Sequence, residues 1–392
     1  MSSFQHLAPE LRLHAGPDSL QALVRELDRN GCRRAAVIGS ASAARPGGGF
    51  DLLRPVLGER LCGVFAQTRA HSPVDAVQEA VDFLAASRAD AVVALGGGSV
   101  IVTARAASIL LAEGQPAHAL CSRREADGRW TSPRLQAPKL PQFVLPTTPT
   151  TACVKAGSAL HDPASGRRLA LFDPKTRARA IFLHPALLRG AQADVVRAAA
   201  LNCLAMAVEG LESSRADPLS DASLMHAVRL LDEHLPARLD GDGQDAHREA
   251  LMLAAVLCGR GTDIAGGGLA SALGHAIGPR SHVPNGVVNA IVLPHTMAYN
   301  APASGARLAK VAAALGERPR QGGDAATLAV GRLRQLLDRL PIARTLREVG
   351  LAREQVPAVA TAAMQDWFLQ YNPRPIDSAA QVQTVIEAAW GE

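Results

Sequence analysis

The 392-residue sequence predicts two domains of different class: an α/β domain with a parallel sheet over residues 1–188, and an all-α domain over residues 189–392. Three observations predict this. Short apolar runs alternate with amphipathic helical patterns through the first half. One of those runs ends in Gly96-Gly97-Gly98-Ser99, a turn that opens a helix. Strand-like runs nearly vanish after Phe182, and long helical patterns replace them.

The elements follow in order. Leu20, Leu23, Val24 and Leu27 fall on one face, which predicts a helix over Ser19–Asn30. Ala35-Ala36-Val37-Ile38 predicts a buried strand over Arg34–Gly39. Ser72 before Pro73 is a start signal for a helix over Val74–Ala86. Ala91–Leu95 is a second buried strand, with a helix from about Val100 to Leu111, and Phe143–Leu145 is a short strand closed by Pro146. Beyond the boundary, helical spacing runs through Asp194–Ser213, Pro218–Leu235, Asp245–Cys258, Gly268–Ile277 and the stretches from Ala306 and Ala325 onward. Asp240–Gln244 and Gln321–Asp324 read as loops.

Composition excludes several classes. A net charge of +5, with scattered basic residues and 3% aromatics, leaves little for phosphate tracking or base stacking, so no nucleic-acid partner is expected. The small positive excess suits an anionic small substrate. No apolar run approaches the roughly 20 residues that span a bilayer, so no membrane partner is expected. Met1–Glu10 lacks the pattern of a secretory signal. The six cysteines form no CxxC pair and read as single thiols, which points to a cytoplasmic protein.

Gly96, Gly97, Gly98 and Ser99 stand where a buried strand becomes a helix. Glycines let backbone N–H groups approach an anion, and the helix N-terminus adds partial positive charge. Ser99 can add a hydroxyl. The turn therefore reads as a cradle for a cofactor diphosphate, or as a tight structural turn. Thr147 and Thr148 follow the next strand and place two hydroxyls where open α/β sheets bind ligands.

These segments resemble the iron-type alcohol dehydrogenases. That family carries a GGGSxxDxAK turn, a PTT strand end, a helix with Asp and His one turn apart, and a long segment ending in LPH. The matching segments are Gly96–Arg105, Pro146–Thr148, Leu201–Glu209 and Gly268–Asn300, with Asn285-Gly286-Val287-Val288-Asn289-Ala290-Ile291-Val292-Leu293-Pro294-His295 the most specific run. Val64-Phe65 with His71-Ser72-Pro73-Val74, the Asn202 helix and Asn372-Pro373-Arg374-Pro375 are similar to the maleylacetate reductase branch. The resemblance covers nearly the whole chain. It implies the dehydroquinate synthase-like fold, with a Rossmann-like nucleotide domain, a helical domain and an active site in the cleft between them. It also implies NAD- or NADP-dependent reduction and a homodimer.

The departures bear on chemistry. The family's metal ligands, an Asp and three His, fall at Asn202, Met206, Ser271 and Asn285 in this sequence. Divalent iron or zinc takes carboxylate, imidazole or thiolate donors, so no metal is expected. The family's Asp and Lys on the turn helix are Val102 and Arg105 here. Arg105 reads either as an anion-holding residue or as an exposed helix arginine. Near Gly39-Ser40 the acidic residue that rejects a 2′-phosphate is replaced, and Ser40 joins the expected cofactor contacts.

The resemblance carries His275 to the nicotinamide end of the cleft as a proton source, and His71 to the cleft edge as a second catalytic candidate. Asn202, Met206 and Glu209 share one helix face. With Ser271 and Asn285, the first two form the expected substrate pocket. Arg280, in the following loop with His282, can meet a carboxylate or lie solvated. The resulting expectation is a metal-independent NAD(P)H-dependent reductase of a small keto acid or activated alkene. The alternatives are a non-redox lyase, isomerase or condensing enzyme in the same cleft, and a silent binding homologue.

Overall fold

The computed structural model describes residues 3–318 and 323–391. The chain divides into two compact units, Pro9–Gln192 and Ala193–Glu392, the latter joined by the segment Met1–Ala8. His6 ties that segment down with a 2.8 Å contact from Nδ1 to Asp217.

In the first unit the strands are β1 (Leu13–Ala15), β2 (Ala35–Gly39), β3 (Leu61–Phe65), β4 (Ala91–Gly96), β5 (Arg123–Arg124), β6 (Trp130–Thr131), β7 (Gln142–Pro146), β8 (Gly157–Asp162), β9 (Arg167–Phe172) and β10 (Ala178–Leu183). Six of them form one sheet in the order β1-β10-β7-β4-β2-β3. Every neighbouring pair in it is parallel, as the alternation of strand and helix patterns requires. The central strands β2, β4 and β7 are buried at every position, which is why they read as continuous apolar runs. Their register aligns Gly39 with Leu95 and Gly96 with Pro146. The three segments expected to hold a cofactor, at Ser40, Gly96–Ser99 and Thr147–Thr148, thus leave the same carboxyl edge of the sheet.

The helices of this unit are α1 (Ser19–Arg29), α2 (Gly49–Leu57), α3 (Val74–Ser87), α4 (Gly98–Glu113), α5 (Ala117–Leu120) and α6 (Pro185–Arg189). Leu20, Leu23 and Leu27 of α1 and Phe50, Leu53 and Leu57 of α2 pack with Val37, Val93, Leu95, Phe143 and Phe182 in one core. α4 begins two residues before the expected Val100, with Gly97 as its N-cap. The sequence reading misses β1, β3, α2 and the β8–β9 hairpin. β8 alternates half-exposed and buried positions, so its apolar signal is diluted over a period of two.

The second unit contains α7 (Ala193–Glu212), α8 (Pro218–His234), α9 (Gln244–Ala265), α10 (Leu269–Ser281), α11 (Asn285–Ala314), α12 (Ala325–Asp338), α13 (Val356–Ala363) and α14 (Ala379–Trp390). The main correction is α11. The expected helix starts at Ala306, whereas the observed one starts at Asn285 and runs through Pro294 and Pro302. Proline removes an intrahelical hydrogen bond, but buried Val288, Ile291, Val292 and Leu293 hold the helix in place. Gly286 lets it meet α7, since a Cβ there would lie 1.8 Å from the Ala198 carbonyl oxygen. α9 continues past the expected Cys258 to Ala265 and stops at Gly266, with φ of 82°. Of the expected loop at 321–324, residues 321 and 322 lie outside the described residues, and Asp324 caps α12 by accepting from Ala326 and Thr327. No described helix is long and apolar enough to cross a membrane.

Candidate functional site

Two sets of residues carry chemistry, one in each unit. In the first unit the glycine turn leaves little space for side chains. A Cβ on Gly97 would lie 2.9 Å from Thr148 Oγ1, and one on Gly98 3.0 Å from Thr150 Oγ1. The turn and the β7 end are therefore packed with no room for side chains, and the Thr147 N–H donates to the Gly96 carbonyl at 3.1 Å. α4 starts at this turn, so its first N–H groups and the positive end of its dipole lie there. Ser40 stands just past β2, its Oγ 2.7 Å from Ser42 Oγ.

Ser99 has a tertiary role the sequence does not reveal. Its Oγ accepts from the His71 backbone N–H at 3.1 Å, and its carbonyl accepts from Ser72 Oγ at 3.0 Å. His71 and Ser72 both take left-handed backbone conformations, with φ of 61° and 48°. Such backbone persists only where surrounding contacts hold it. His71 is thus placed beside the phosphate turn, with an exposed side chain.

Arg105 corrects both sequence alternatives. It has no exposed surface, and its guanidinium donates to the carbonyls of Gly157 at 2.7 Å and Ala152 at 2.6 Å. It holds the segment around β8 against α4 and cannot meet a substrate anion.

In the second unit, α7, α10 and α11 bring together most of the expected pocket. Asn202 Nδ2 lies 3.6 Å from Met206 Sδ one turn along α7. The carboxamides of Asn202 and Asn289 meet at 3.0 Å. With its nitrogen facing the carbonyls of Ala270 and Asn285, at 3.0 Å each, Asn289 turns its oxygen toward Asn202, which satisfies it when the Asn202 amide presents nitrogen there. Asn289 is fully buried and joins the three helices. Gly274 makes room for it, because a Cβ there would lie 1.8 Å from Asn289 Oδ1. The sequence reading missed Asn289; its spacing of one turn from Asn285 on a single helix is the signal that could have found it. Asn285 packs against Gly278, and its Oδ1 is buried with no hydrogen-bond partner among the described residues.

Ser271, Glu209 and Glu212 form a buried acidic layer beside this cluster. Glu209 accepts from the Ser271 backbone N–H at 2.9 Å and from Ser271 Oγ at 2.5 Å. The N–H groups of Ala270 and Gly268 also face it, so it caps the N-terminus of α10. Burial nonetheless pushes its carboxyl up to about 7. Burial and the neighbouring Glu209 push Glu212 up to about 8, against hydrogen bonds from Asn300 and Ser304. Asn372 of the Asn-Pro-Arg-Pro segment pairs with the Asn300 amide at 2.8 Å and accepts from Leu269 N–H at 3.2 Å. That segment is therefore an anchor for α10 and α11.

His275, one turn after Ser271, meets Asp366: Nδ1 and Oδ2 are 2.7 Å apart. Its ring lies 5.5 Å from the Phe368 ring and 6.4 Å from the Trp367 ring. Nothing in the sequence reading singled out these three partners. The expected loop at Arg280 and His282 is instead the end of α10. Arg280 is exposed and donates to the Ala276 carbonyl at 2.5 Å, and His282 is a left-handed C-cap with φ of 55°.

No three His, Cys, Asp or Glu side chains among the described residues cluster in a way that could hold a metal ion. The donor set at Asn202, Met206, Ser271 and Asn285 consists of two amides, a thioether and a hydroxyl already bound to Glu209. These groups do not fit iron or zinc.

Comparison with known proteins was informative over the whole chain. Residues 9–185 match the model of iron-containing alcohol dehydrogenases, and residues 197–390 match the C-terminal domain of the Fe-containing alcohol dehydrogenase family. The chain is 30% identical over 297 residues to the probable alcohol dehydrogenase EutG of Escherichia coli, covering 75% of this chain and 72% of that one. It is 29% identical over 396 residues to maleylacetate reductase 1 of Cupriavidus pinatubonensis, covering 99% and 97%. Among solved structures, 1,3-propanediol oxidoreductase superposes with a TM-score of 0.90 at 22% identity, covering 99% of this chain and 100% of that one.

Proposed function

The chain belongs to the iron-containing alcohol dehydrogenase family, and from that premise we propose that it is an NAD(P)H-dependent reductase of a small keto acid or activated alkene that works without a metal ion. Within the family it stands close to the maleylacetate reductases. The observation that carries the proposal is the set of neutral side chains at Asn202, Met206, Ser271 and Asn285, of which Asn202 meets Met206 and Asn289 while Ser271 is bound to Glu209.

The glycine turn fits a nicotinamide nucleotide. Gly97, Gly98 and Ser99, with Thr147 and Thr148, would hold its phosphates, and Ser40 stands at the strand end that meets the ribose. No acidic side chain stands at Gly39-Ser40 to exclude a 2′-phosphate, so both NADH and NADPH suit the site. When bound, the nucleotide supplies the hydride.

The chain's own residues must then replace what a Lewis acid does. A plain alcohol would need acidifying, and nothing here supplies that. A conjugated carbonyl is already polarised and takes hydride with hydrogen-bond help alone. Asn202 offers an amide to polarise the substrate oxygen. His275 gives the proton that completes the reduction.

The test is loss of reduced-nicotinamide absorbance when the protein meets maleylacetate, with and without EDTA. Turnover unaffected by EDTA, in protein lacking stoichiometric metal by elemental analysis, supports the proposal. Stoichiometric iron or zinc overturns its metal-free half. Nucleotide binding without turnover favours a non-redox use of the pocket, and failure to bind either nucleotide ends the redox reading.

A further inference from the structure

We infer that Asp366 is the positioning residue for the proton donor: it orients His275 and favours the imidazolium, so that Nε2–H gives up the proton and the ring is left as the neutral Nδ1–H tautomer. The inference rests on the reading of His275 as proton source and extends it to a residue in the last quarter of the chain.

The geometry has three parts. First, Asp366 is buried, and its Oδ2 lies 2.7 Å from His275 Nδ1. An ionised carboxylate only accepts hydrogen bonds, so the proton between the two sits on Nδ1. Second, the other oxygen is committed. Asp366 Oδ1 accepts from the Phe368 N–H at 2.9 Å, capping the short 3-10 helix Trp367–Tyr371. The carboxylate is held at both ends and cannot rotate away from the imidazole. Third, the helix it caps carries the rings that flank His275. Phe368 packs onto Gly267, where a Cβ would lie 2.9 Å away, and Tyr371 packs onto Gly266, where a Cβ would lie 2.7 Å away. One side chain therefore sets the proton on the imidazole and the aromatic wall beside it. An imidazole oriented this way by a buried carboxylate is the arrangement that makes a histidine an efficient proton-transfer group.

Asp366→Asn separates this role from a structural one. Asn keeps the oxygen that caps Phe368 but turns an NH2 toward His275. That donor forces Nδ1 to accept and moves the imidazole proton to Nε2. The fold and the cap survive, and the tautomer reverses.

Two readouts decide the matter in the full-length protein. The first is 15N-histidine NMR, with the His275 signals identified by their loss in His275→Gln. At a pH where the ring is neutral, the inference expects Nδ1–H in the wild type and Nε2–H in Asp366→Asn; an unchanged tautomer overturns it, whatever the activity. The second is NADH oxidation with maleylacetate. Asp366→Asn should lower kcat on the order of 10²-fold while leaving KM within about threefold. The double variant with His275→Gln should be no slower than the worse single one. If His275→Gln abolishes turnover and Asp366→Asn does not, the inference fails and the proton-source reading stands. If His275→Gln turns over normally, the proton-source reading fails, and the NMR result still decides whether Asp366 sets the tautomer.

Discussion

Ser271 Oγ lies 2.5 Å from Glu209 Oε2, and both groups are buried. The contact joins the N-terminus of α10 to the last turn of α7. It also engages the Ser271 hydroxyl within the protein. Glu212 lies one turn further along α7.

This pair of carboxylates makes stability depend on pH. Burial holds Glu209 at about 7 and Glu212 at about 8, against 4.5 for an ordinary glutamate. Both bind their protons more tightly folded than unfolded. The support they give is complete below the ordinary value and is lost as pH rises through 7 and then 8. Urea unfolding should show stability falling across that window, by up to roughly 1.4 kcal/mol per pH unit for each proton released. Glu212→Gln should flatten the slope. An unchanged slope in that variant means Glu212 is not the source.

Gly286 is a steric requirement of the helical unit. A Cβ there would lie 1.8 Å from the Ala198 carbonyl oxygen and 2.8 Å from the Asn202 backbone nitrogen. Both are backbone atoms, so neither can step aside as a side chain would. Gly286→Ala should destabilise by about 3 kcal/mol or more in chemical denaturation. Gly331→Ala, with open space at its Cβ, is the control and should be neutral or slightly stabilising.

Arg105 should behave as a structural residue. Arg105→Ala leaves the carbonyls of Ala152 and Gly157 without their buried donor. A loss of about 3 kcal/mol is expected, with the Kd for NADH in the surviving folded protein unchanged within about twofold. A large rise in Kd without loss of stability would restore the anion-binding role.

Gly97 should behave in the opposite way. Gly97→Ala places a methyl group 2.9 Å from Thr148 Oγ1, a hydroxyl at the end of a side chain that can shift. Stability should fall by only about 1 kcal/mol, because that neighbour can give. NADH affinity, followed by fluorescence titration, should fall at least about tenfold, because the turn can no longer close on the diphosphate. Equal affinity in the variant would make the turn structural only.

Much of this was legible in the residues. Buried parallel strands such as β2, β4 and β7 are continuous apolar runs, and α1, α7 and α8 carry clear amphipathic spacing, so local pattern was enough for them. Gly97 and Gly98 showed themselves because a run of glycines between a buried strand and a helix is visible in residue type alone. β8 and β3 were hidden, since a half-exposed strand dilutes its own signal. α11 was hidden for a different reason. Its two prolines argue locally against a helix, and only packing against α7, α10 and α12 overrides them.

The sequence by itself determined the fold class, the family and the neutral side chains at 202, 206, 271 and 285, because each is written in residue type and short-range spacing. The tertiary structure alone decided what those positions touch. Asn289 reaches Asn202 across 87 residues, Glu209 reaches Ser271 across 62, and Asp366 reaches His275 across 91. No local period encodes such pairings. They arise when the apolar faces of α7, α10 and α11 are buried together and the polar groups carried inward with them must find partners there.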